Sequence, residues 1–476
     1  MASIGSEHGS RSRFFWRPRW RNAFAALFGL RTIALPGVRT LFGGGADYSV
    51  ARRLAGAAFF IRVLSALVAF VSQIALARWL GGFQFGVYVY VWTWVLLLGG
   101  MVDLGLGSAA QRFIPEYTEQ KRFAALRGFL RGSRWLAATI ATAIAAVAAL
   151  IVWALSRHLN PASTVPLYLA CAALPICGVA QVQSGIARSY DWINLALSPG
   201  YVLRQILLLV LLGCALALGL PMDAATATFT AAATWWGVTL GQSIVLNRRL
   251  AKVVEGGERS YALRSWLSTS TPIFVVEAFF LLLTYADVIV LQMYRPPNEV
   301  GIYYAASKTM ALIAFIYFSV AQTLAHKFAE YHVAGSRQRL ANFLAVAVRM
   351  TFWPSLGAIL VLLAIGRPLL RMFGHDFVSG YYLMFILAIG LLARASVGPA
   401  ERLLNMLGER RSCAFVYAGS FAANIGLCVV LIPHFGIAGA AIANAATLVG
   451  ESGSLFLIAK FRLGLHCFIF GGHQAR

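Results

Sequence analysis

Apolar runs of about 20 residues recur along almost the whole chain and limit what it can fold into. Hydrocarbon offers the backbone no hydrogen-bonding partner, so a chain crosses a membrane only as helices or as a closed barrel. These runs are too long and too uniformly apolar for barrel strands. The sequence therefore predicts an all-α integral membrane protein with about 12 transmembrane helices, at residues 54–77, 85–104, 134–155, 164–184, 197–220, 224–246, 269–293, 301–324, 341–365, 380–398, 413–433 and 436–459.

Composition excludes a water-soluble protein. Of the 476 residues, 59% are hydrophobic and 12% are charged, whereas soluble domains have about 45–50% apolar and about 25% charged residues. The sequence has no GxxxxGK[ST] phosphate loop, and its six cysteines form no CxxC pair or metal-ligand pattern. We therefore expect no ATPase of that type, no metal site and no organic cofactor, and we consider a proton or sodium gradient as the energy source.

The basic residues are distributed unevenly over the predicted connections. The N-terminal tail, the even-numbered connections and the C-terminus hold 32 of the 40, counting Arg204 and Arg394, which lie just inside span ends. The opposite side has only five, which are Arg78, Arg157, Arg295, Arg367 and Arg371. Cytoplasmic connections are enriched in Lys and Arg, so we predict a multi-pass protein of a bacterial cytoplasmic (inner) membrane with both termini in the cytoplasm. Because topology explains most of the net charge of +23, no nucleic-acid partner is expected.

The first 50 residues form a basic tail before the first apolar run. Its arginines are mixed with the aromatic residues Phe14, Phe15, Trp16 and Trp20, a composition that suits a segment lying on the anionic cytoplasmic leaflet. Membrane lipids are then its partner. A disordered basic tail that serves only as a topology signal explains the same residues.

Two segments half the chain apart resemble each other. Phe85-Gly86-Val87-Tyr88 matches Val300-Gly301-Ile302-Tyr303 at an offset of 215 residues, and the same offset aligns Arg112-Phe113 with Lys327-Phe328 and Arg134 with Arg349. A duplication with six helices in each half places both halves in the membrane the same way. We therefore predict a tail (1–50), an N-terminal six-helix lobe (51–255) and a C-terminal six-helix lobe (256–476), related by a pseudo-two-fold axis along the membrane normal, with a substrate cleft between the lobes.

Short motifs in a fixed order resemble one family. Arg78-Trp79-Leu80-Gly81, Phe85-Gly86-Val87-Tyr88, Asp103-Leu104-Gly105-Leu106-Gly107 and Arg112-Phe113 resemble the opening of polysaccharide-repeat-unit flippases of the MOP superfamily. Glu299-Val300-Gly301-Ile302-Tyr303 and Phe435-Gly436-Ile437-Ala438-Gly439-Ala440-Ala441 look like later patterns of that family, and the resemblance runs from about residue 50 to 465. It implies a MATE-like helix bundle that moves an undecaprenyl-pyrophosphate-linked oligosaccharide from the inner to the outer leaflet by alternating access. The resemblance also implies that the oligosaccharide is exported as lipopolysaccharide O-antigen, capsule or exopolysaccharide. Polysaccharide-assembly proteins are implied as partners.

Charged residues inside the predicted spans are candidates for function, because each costs about 2.5–3.5 kcal/mol on insertion scales. Arg62, Glu277 and Arg349 each lie eight residues into their spans, roughly 12 Å from the cytoplasmic end. Together with Arg204 nearer the cytoplasmic mouth, Arg62 and Arg349 are predicted to bind the lipid pyrophosphate, because guanidinium groups bind phosphate in a bidentate manner. Glu277 would pair with an arginine in the empty site. Static ion pairs between the lobes, or arginines that extend to the interface, explain the same positions.

Asp287 and Lys308 fall in the outer half of their spans. They suit either an outer gate that their ion pair closes, or a coupling site where a proton or another cation displaces the pair. A purely structural ion pair is the alternative.

Two aromatic pairs occur at four-residue spacing, Tyr88 with Trp92 and Tyr90 with Trp94. Near a span end such residues are typical of the interfacial aromatic belt, and stacking on sugar rings is the alternative.

Gly436, Ala440 and Asn444 also repeat every four residues. This spacing is typical of close helix packing, and we assign these residues no further role.

Three other classes compete with a flippase. An ion-coupled multidrug exporter of the same superfamily would favour acids in its cavity, whereas basic residues in the predicted spans are at least as numerous. A polytopic glycan polymerase or ligase needs an external surface with carboxylates, but the longest external connection is 366–379 and the external acids are Asp223, Glu299 and Asp376. A scaffold for envelope assembly stays open. We predict a secondary-type transporter and not an enzyme.

Overall fold

A computed structural model of the chain describes residues 46–158, 160–317, 320, 321, 328, 331 and 337–469. Residues 1–45 of the predicted tail lie outside this part. The described part contains helices and no strand. The helices are α1 (Ala46–Gly99), α2 (Leu106–Glu119), α3 (Phe123–Leu155), α4 (Pro161–Ser189), α5 (Ile193–Ser198), α6 (Arg204–Ala217), α7 (Ala224–Leu250), α8 (Leu263–Tyr294), α9 (Pro297–Met310), α10 (Arg337–Ala364), α11 (Gly366–Phe373), α12 (Tyr381–Val397), α13 (Ala400–Met406), α14 (Arg410–Phe435) and α15 (Ile437–Leu463).

Ten helical segments of the described residues are long and apolar enough to cross a membrane. One of them, Leu64–Gly99, covers most of the first two predicted spans. The predicted span 224–246 lies in α7, which is not among the ten, and the other nine predicted spans each fall in one of the nine remaining segments. The all-helical membrane architecture is therefore confirmed, while the number of twelve and the two-lobe symmetry stay predictions.

α1 is interrupted at Gly81, whose backbone (φ 74°, ψ 166°) is not helical. A φ of this sign favours glycine, because a Cβ atom would clash with the backbone there. The first two predicted spans are thus separated by a break at one residue.

Helices extend well beyond the predicted spans on the arginine-rich side. α3 has 33 residues, about 50 Å at ~1.5 Å per residue, whereas the hydrocarbon core is about 30 Å thick. The predicted connection before it also contains α2, which buries Phe113, Ile114 and Tyr117 on one face. This helix is amphipathic rather than uniformly apolar, so it is not among the spans predicted from apolar runs.

Three apolar clusters hold the helices together. One includes Phe85 of the first half (residues 54–255) and Tyr303 and Phe377 of the second half (residues 256–469). Another is formed by α2, α3, α4, α5 and α7 of the first half with Trp266 of α8, and the third consists of second-half residues around Phe328. The described halves therefore share a central core, and each has a further cluster of its own.

α1 and α9 meet at the repeated glycines. A Cβ atom on Gly86 would collide with the carbonyl group of Pro297, and one on Gly301 would lie 3.2 Å from the carbonyl oxygen of Gly82. Gly82 and Pro297 are, like Gly86 and Gly301, 215 residues apart. The contact is reciprocal, as a local two-fold relation between the two segments requires.

Candidate substrate site between the halves

Arg204 follows a π-helical turn within an apolar span. The turn, Pro199–Leu203, joins α5 to α6, and Arg204 Nε donates a hydrogen bond across it to the Gly200 carbonyl oxygen at 3.2 Å. Single π-helical turns are frequent at functional sites. The span begins at Ile193, so Arg204 lies roughly 16 Å along it at ~1.5 Å per residue. Arg349 lies equally far from the start of its segment and Glu277 lies farther, so the predicted place of Arg204 nearer the cytoplasmic mouth stays a prediction.

Aromatic rings of the first half surround the Arg204 guanidinium. The guanidinium lies 4.7 Å from the centre of the Trp235 ring, and Trp235 lies 5.8 Å from Trp92. Trp92 stacks on Tyr88 with an interplanar angle of 12°. Since Tyr88 is 2% exposed and Trp92 5%, the interfacial belt predicted for this pair is wrong. Packing between helices, which the spacing alone does not reveal, buries both rings.

Lys308 brings a second cation to the same place from the second half. Its ammonium nitrogen lies 4.9 Å from the centre of the Tyr304 ring and 6.0 Å from that of Tyr285. Both tyrosines also lie within electrostatic range of Arg204. We call this group the central cluster; it consists of Tyr88, Trp92, Arg204, Trp235, Tyr285, Tyr304 and Lys308.

The two cations of the central cluster face aromatic rings instead of acids. Among the described residues, neither Arg204 nor Lys308 lies within 4.0 Å of a carboxylate oxygen. Cation–π contacts stabilise a cation without neutralising its charge. The cluster therefore presents two positive charges to an anionic group.

Asp287 is buried beside the central cluster and is hydrogen-bonded to neutral groups. Its Oδ2 accepts hydrogen bonds from the Tyr303 hydroxyl and, at 3.2 Å, from Asn444 Nδ2, and its Oδ1 accepts one from the Val288 N–H at 2.8 Å. In the described part of the chain, Asp287 and Lys308 do not form the expected direct ion pair, because these three donors occupy the Asp287 carboxylate. Lys308 attracts Asp287 only at longer range.

Glu277 joins α8 to α2 and thus links the halves. Ser108 Oγ donates a hydrogen bond to Glu277 Oε1 at 2.6 Å, and Glu277 forms no ion pair among the described side chains. Asp103 lies nearby, in the turn that precedes α2 and outside the membrane-spanning segments, where it accepts a hydrogen bond from the Gly107 N–H at 2.9 Å. Burial raises the pKa of Asp103 to about 6, although the Gly107 N–H opposes the shift; repulsion from Glu277 adds to it.

The structure does not bring all predicted site residues together. Arg62 belongs to α1, but its side chain lies outside the described residues. Arg349 is exposed on α10, and no contact of the described residues links it to the central cluster. Of the six predicted residues, Arg204 and Lys308 share neighbours, whereas Asp287 and Glu277 lie in separate hydrogen-bond networks.

The second half also has a cavity of about 240 Å³ whose lining includes the half-buried Arg394 and the buried Glu451. Arg394 Nη1 lies 3.7 Å from Glu451 Oε1, and Arg394 Nη2 lies 3.9 Å from Glu401 Oε2. The Arg394 guanidinium lies 5.0 Å from the centre of the Tyr317 ring. With one guanidinium and two carboxylates, this group has a formal charge of −1 when all three are ionised.

Three buried oxygen atoms of residues that line this cavity have no hydrogen-bond partner among the described residues: Ser355 Oγ, the Tyr417 hydroxyl and Glu451 Oε2. Asn444, which donates to Asp287, lines the cavity too. Unsatisfied buried polar atoms are rare in folded proteins, so the cavity is suited to a hydrogen-bonding or cationic guest.

The sequence profile of a family described as polysaccharide biosynthesis protein matches residues 55–329. The chain belongs to this family. No curated protein matches the sequence of this polysaccharide biosynthesis protein. The family resemblance of its motifs is confirmed.

Solved structures of MOP-superfamily transporters share the fold. An inward-facing MATE-family multidrug resistance transporter has a TM-score of 0.68 at 14% identity, covering 86% of this chain and 94% of that one. The lipid II flippase MurJ in an inward closed conformation has a TM-score of 0.66 at 14% identity, with 86% and 87% covered. A MOP-superfamily transporter from Pyrococcus furiosus has a TM-score of 0.64 at 14% identity, with 86% and 95% covered. The MATE-like fold and the multi-pass membrane location are confirmed.

Three residues that line the second-half cavity of this polysaccharide biosynthesis protein are not among the predicted site residues. Glu451 lies inside the predicted span 436–459, so the rule that selects Glu277 and Asp287 applies to it equally. The four-residue spacing of Asn444 indicates only helix packing, and its contact with Asp287 is visible only in the structure. Arg394 counts as a topology signal at a span end, because its two carboxylate partners are distant in sequence.

Proposed function

We propose that this polysaccharide biosynthesis protein is a flippase. It carries an undecaprenyl-pyrophosphate-linked oligosaccharide from the inner to the outer leaflet of the bacterial cytoplasmic membrane by alternating access of the two halves. The observation that carries this proposal is the central cluster, where two cations without carboxylate partners among the described residues meet five aromatic rings. Membership in the family supports a role in polysaccharide synthesis, and the lipid II flippase MurJ shares the fold.

The chemistry of the central cluster suits both parts of such a substrate. Arg204 Nε is held by Gly200, so the guanidinium is oriented while its terminal nitrogens have no hydrogen-bond partner among the described residues. A planar guanidinium binds phosphate in a bidentate manner, and the Lys308 ammonium adds a second charge. Aromatic faces stack on apolar sugar faces, and Trp235 and Tyr285 of the cluster are only half-buried. The pyrophosphate would contact the cations while the first sugars contact the rings.

Arg62, Arg349 and Glu277 are part of the same proposal as residues of the cytoplasmic entrance. Glu277 accepts a hydrogen bond from Ser108 and would exchange this partner for Arg62 or Arg349 as the halves move. Full transport by both Arg62→Ala and Arg62→Lys at normal expression would remove Arg62 from the proposal.

A proton or sodium gradient is proposed as the energy source. The second-half cavity supports it, because Arg394 and Glu451 line it and Glu401 lies beside Arg394. When all three groups are ionised, they leave one negative charge that a proton or a monovalent cation balances. Asn444 connects this cavity to Asp287, and Asp287 lies within electrostatic range of Lys308. Protonation of the cavity, or cation binding in it, would thus change the electrostatic potential at the central cluster.

An ion-coupled multidrug exporter is the second candidate, since a multidrug MATE transporter shares the fold. Arg204 and Lys308 would repel a cationic drug at the centre of the molecule, which favours an anionic substrate.

The proposed flippase has both termini in the cytoplasm and contacts polysaccharide-assembly proteins. The proposal includes no enzymatic step.

Reconstitution tests the proposal. Proteoliposomes receive the lipid-linked oligosaccharide in the inner leaflet, and a membrane-impermeant glycosidase outside reports its arrival. We expect protein-dependent arrival that a proton or sodium gradient accelerates, and no transport of the cationic dye ethidium. Ethidium transport without movement of the glycolipid would overturn the proposal in favour of a drug exporter.

A further inference from the structure

A groove on the first half gathers four arginines beside an apolar floor. It has a volume of about 680 Å³ and lies between α3, α4, α7 and the segment 254–259 that leads to α8. Its basic residues are Arg127, Arg131, Arg134 and Arg259. None of its lining residues belongs to the central cluster.

Two of the four groove arginines are held in place by hydrogen bonds, and none of the four is neutralised. Arg127 Nε donates a hydrogen bond to the Glu258 carbonyl oxygen at 2.8 Å, and its Nη1 donates to that of Glu255 at 3.3 Å. Arg134 Nη1 donates to Asn247 Oδ1 at 2.8 Å. In the described part of the chain, none of the four arginines lies within 4.0 Å of a carboxylate oxygen. Their acceptors are neutral, so the positive charge stays available to a ligand.

The groove changes from basic to apolar along the axis of α3. Arg127, Arg131 and Arg134 follow one another at helical spacing and share one face. Trp135 and Ala138 come next on α3, and Leu240 lies opposite on α7. From Arg127 to Ala138 the helix rises roughly 16 Å. Trp135 is 65% exposed, so this apolar end is open to the acyl chains of the surrounding membrane.

We propose that this groove binds an anionic phospholipid. The phosphodiester group contacts Arg131 and Arg134, and one acyl chain lies along Trp135 and Leu240. Basic pockets between transmembrane helices bind anionic headgroups in this way, and a guanidinium binds a phosphate in a bidentate manner. Because the four arginines are not neutralised, they repel the choline cation of a zwitterionic lipid and favour a lipid with a net negative charge.

Binding to the full-length protein in neutral detergent tests this site without any transport measurement, so its result is independent of the proposed function. The probes are phosphatidylglycerol, phosphatidylcholine and inorganic phosphate, and native mass spectrometry counts the bound lipids. The variant Arg131→Gln/Arg259→Gln removes two groove charges that make no hydrogen bond among the described residues. The matched control is Arg248→Gln/Arg264→Gln, which removes two exposed arginines outside the groove.

We expect wild type and control to bind phosphatidylglycerol at least tenfold more tightly than the groove variant, with weak binding of phosphatidylcholine. Acyl-brominated phosphatidylglycerol should quench tryptophan fluorescence, and Trp135→Phe should remove part of that quenching. Equal affinity of the groove variant and wild type would overturn the proposal. Displacement of the lipid by millimolar inorganic phosphate would also overturn it, since the site would then bind free phosphate.

Discussion

The ammonium group of Lys308 lies 4.9 Å from the ring centre of Tyr304, which also lies within electrostatic range of Arg204 from the other half of the chain. Motion between the halves must therefore change the distance between these two cations. An anionic group bound to both would resist that separation, or move with it. In the proposed mechanism, the central cluster would therefore couple substrate binding to alternating access.

The contact between Gly86 and Pro297 should tolerate no side chain. Gly86→Ala places a methyl group against the Pro297 carbonyl, whereas a Cβ atom on Gly82 meets nothing within 4 Å. We expect Gly86→Ala to lower the thermal unfolding midpoint in detergent by several degrees, as overpacking costs about 1–3 kcal/mol. Gly82→Ala should leave it nearly unchanged. Equal midpoints for the two variants would show that α1 and α9 do not meet here.

Removing Arg394 should destabilise the protein more than removing Glu451. Arg394→Gln leaves the half-buried Glu401 and the buried Glu451 as neighbouring anions, and breaking a buried ion pair on one side costs about 3–5 kcal/mol. Glu451→Gln leaves one cation with one anion and should cost less. The double variant should recover part of the loss in thermal unfolding. Additive losses would indicate that the two side chains do not interact.

Asp287→Asn should abolish the ion dependence of transport. The amide keeps the size of the carboxylate but neither loses a proton nor balances a cation. Flipping rates in vesicles, titrated against pH and sodium, should become flat in this variant. Asp223→Asn is the control, because Asp223 only caps α7 through the Thr226 N–H and asparagine caps equally well. An unchanged ion dependence in Asp287→Asn would exclude Asp287 from coupling.

Asp103 should make stability depend on pH. Burial raises its pKa from 3.8 to about 6 in the folded protein, so between pH 4 and pH 6 the folded protein binds more protons than the unfolded chain. The contribution of Asp103 to the free energy of unfolding therefore falls as pH rises from 4 to 6. The difference in unfolding midpoint between Asp103→Asn and wild type should grow in favour of the variant from pH 4 to pH 7. A constant difference would contradict the raised pKa.

The sequence predicts the helices well because membrane burial imposes one simple requirement on each span. It also places Arg204 and Lys308 among the functional candidates, since a charge inside a span is conspicuous. The sequence cannot show that both residues lie within electrostatic range of Tyr304, because this depends on how α6 and α9 pack. For the same reason the Asp287–Lys308 ion pair is predicted wrongly: the donors Tyr303 and Asn444, which occupy the carboxylate, are ordinary residues in sequence.

The central claim is that Arg204 and Lys308 together bind the pyrophosphate of a lipid-linked oligosaccharide. The most direct measurement is the initial rate of glycolipid flipping by Arg204→Gln and Lys308→Gln at equal reconstitution, with the exposed Arg264→Gln as control. We predict at least a tenfold loss for each central variant, partial recovery in Arg204→Lys and no loss in the control. Rates of both central variants within twofold of wild type would contradict the claim.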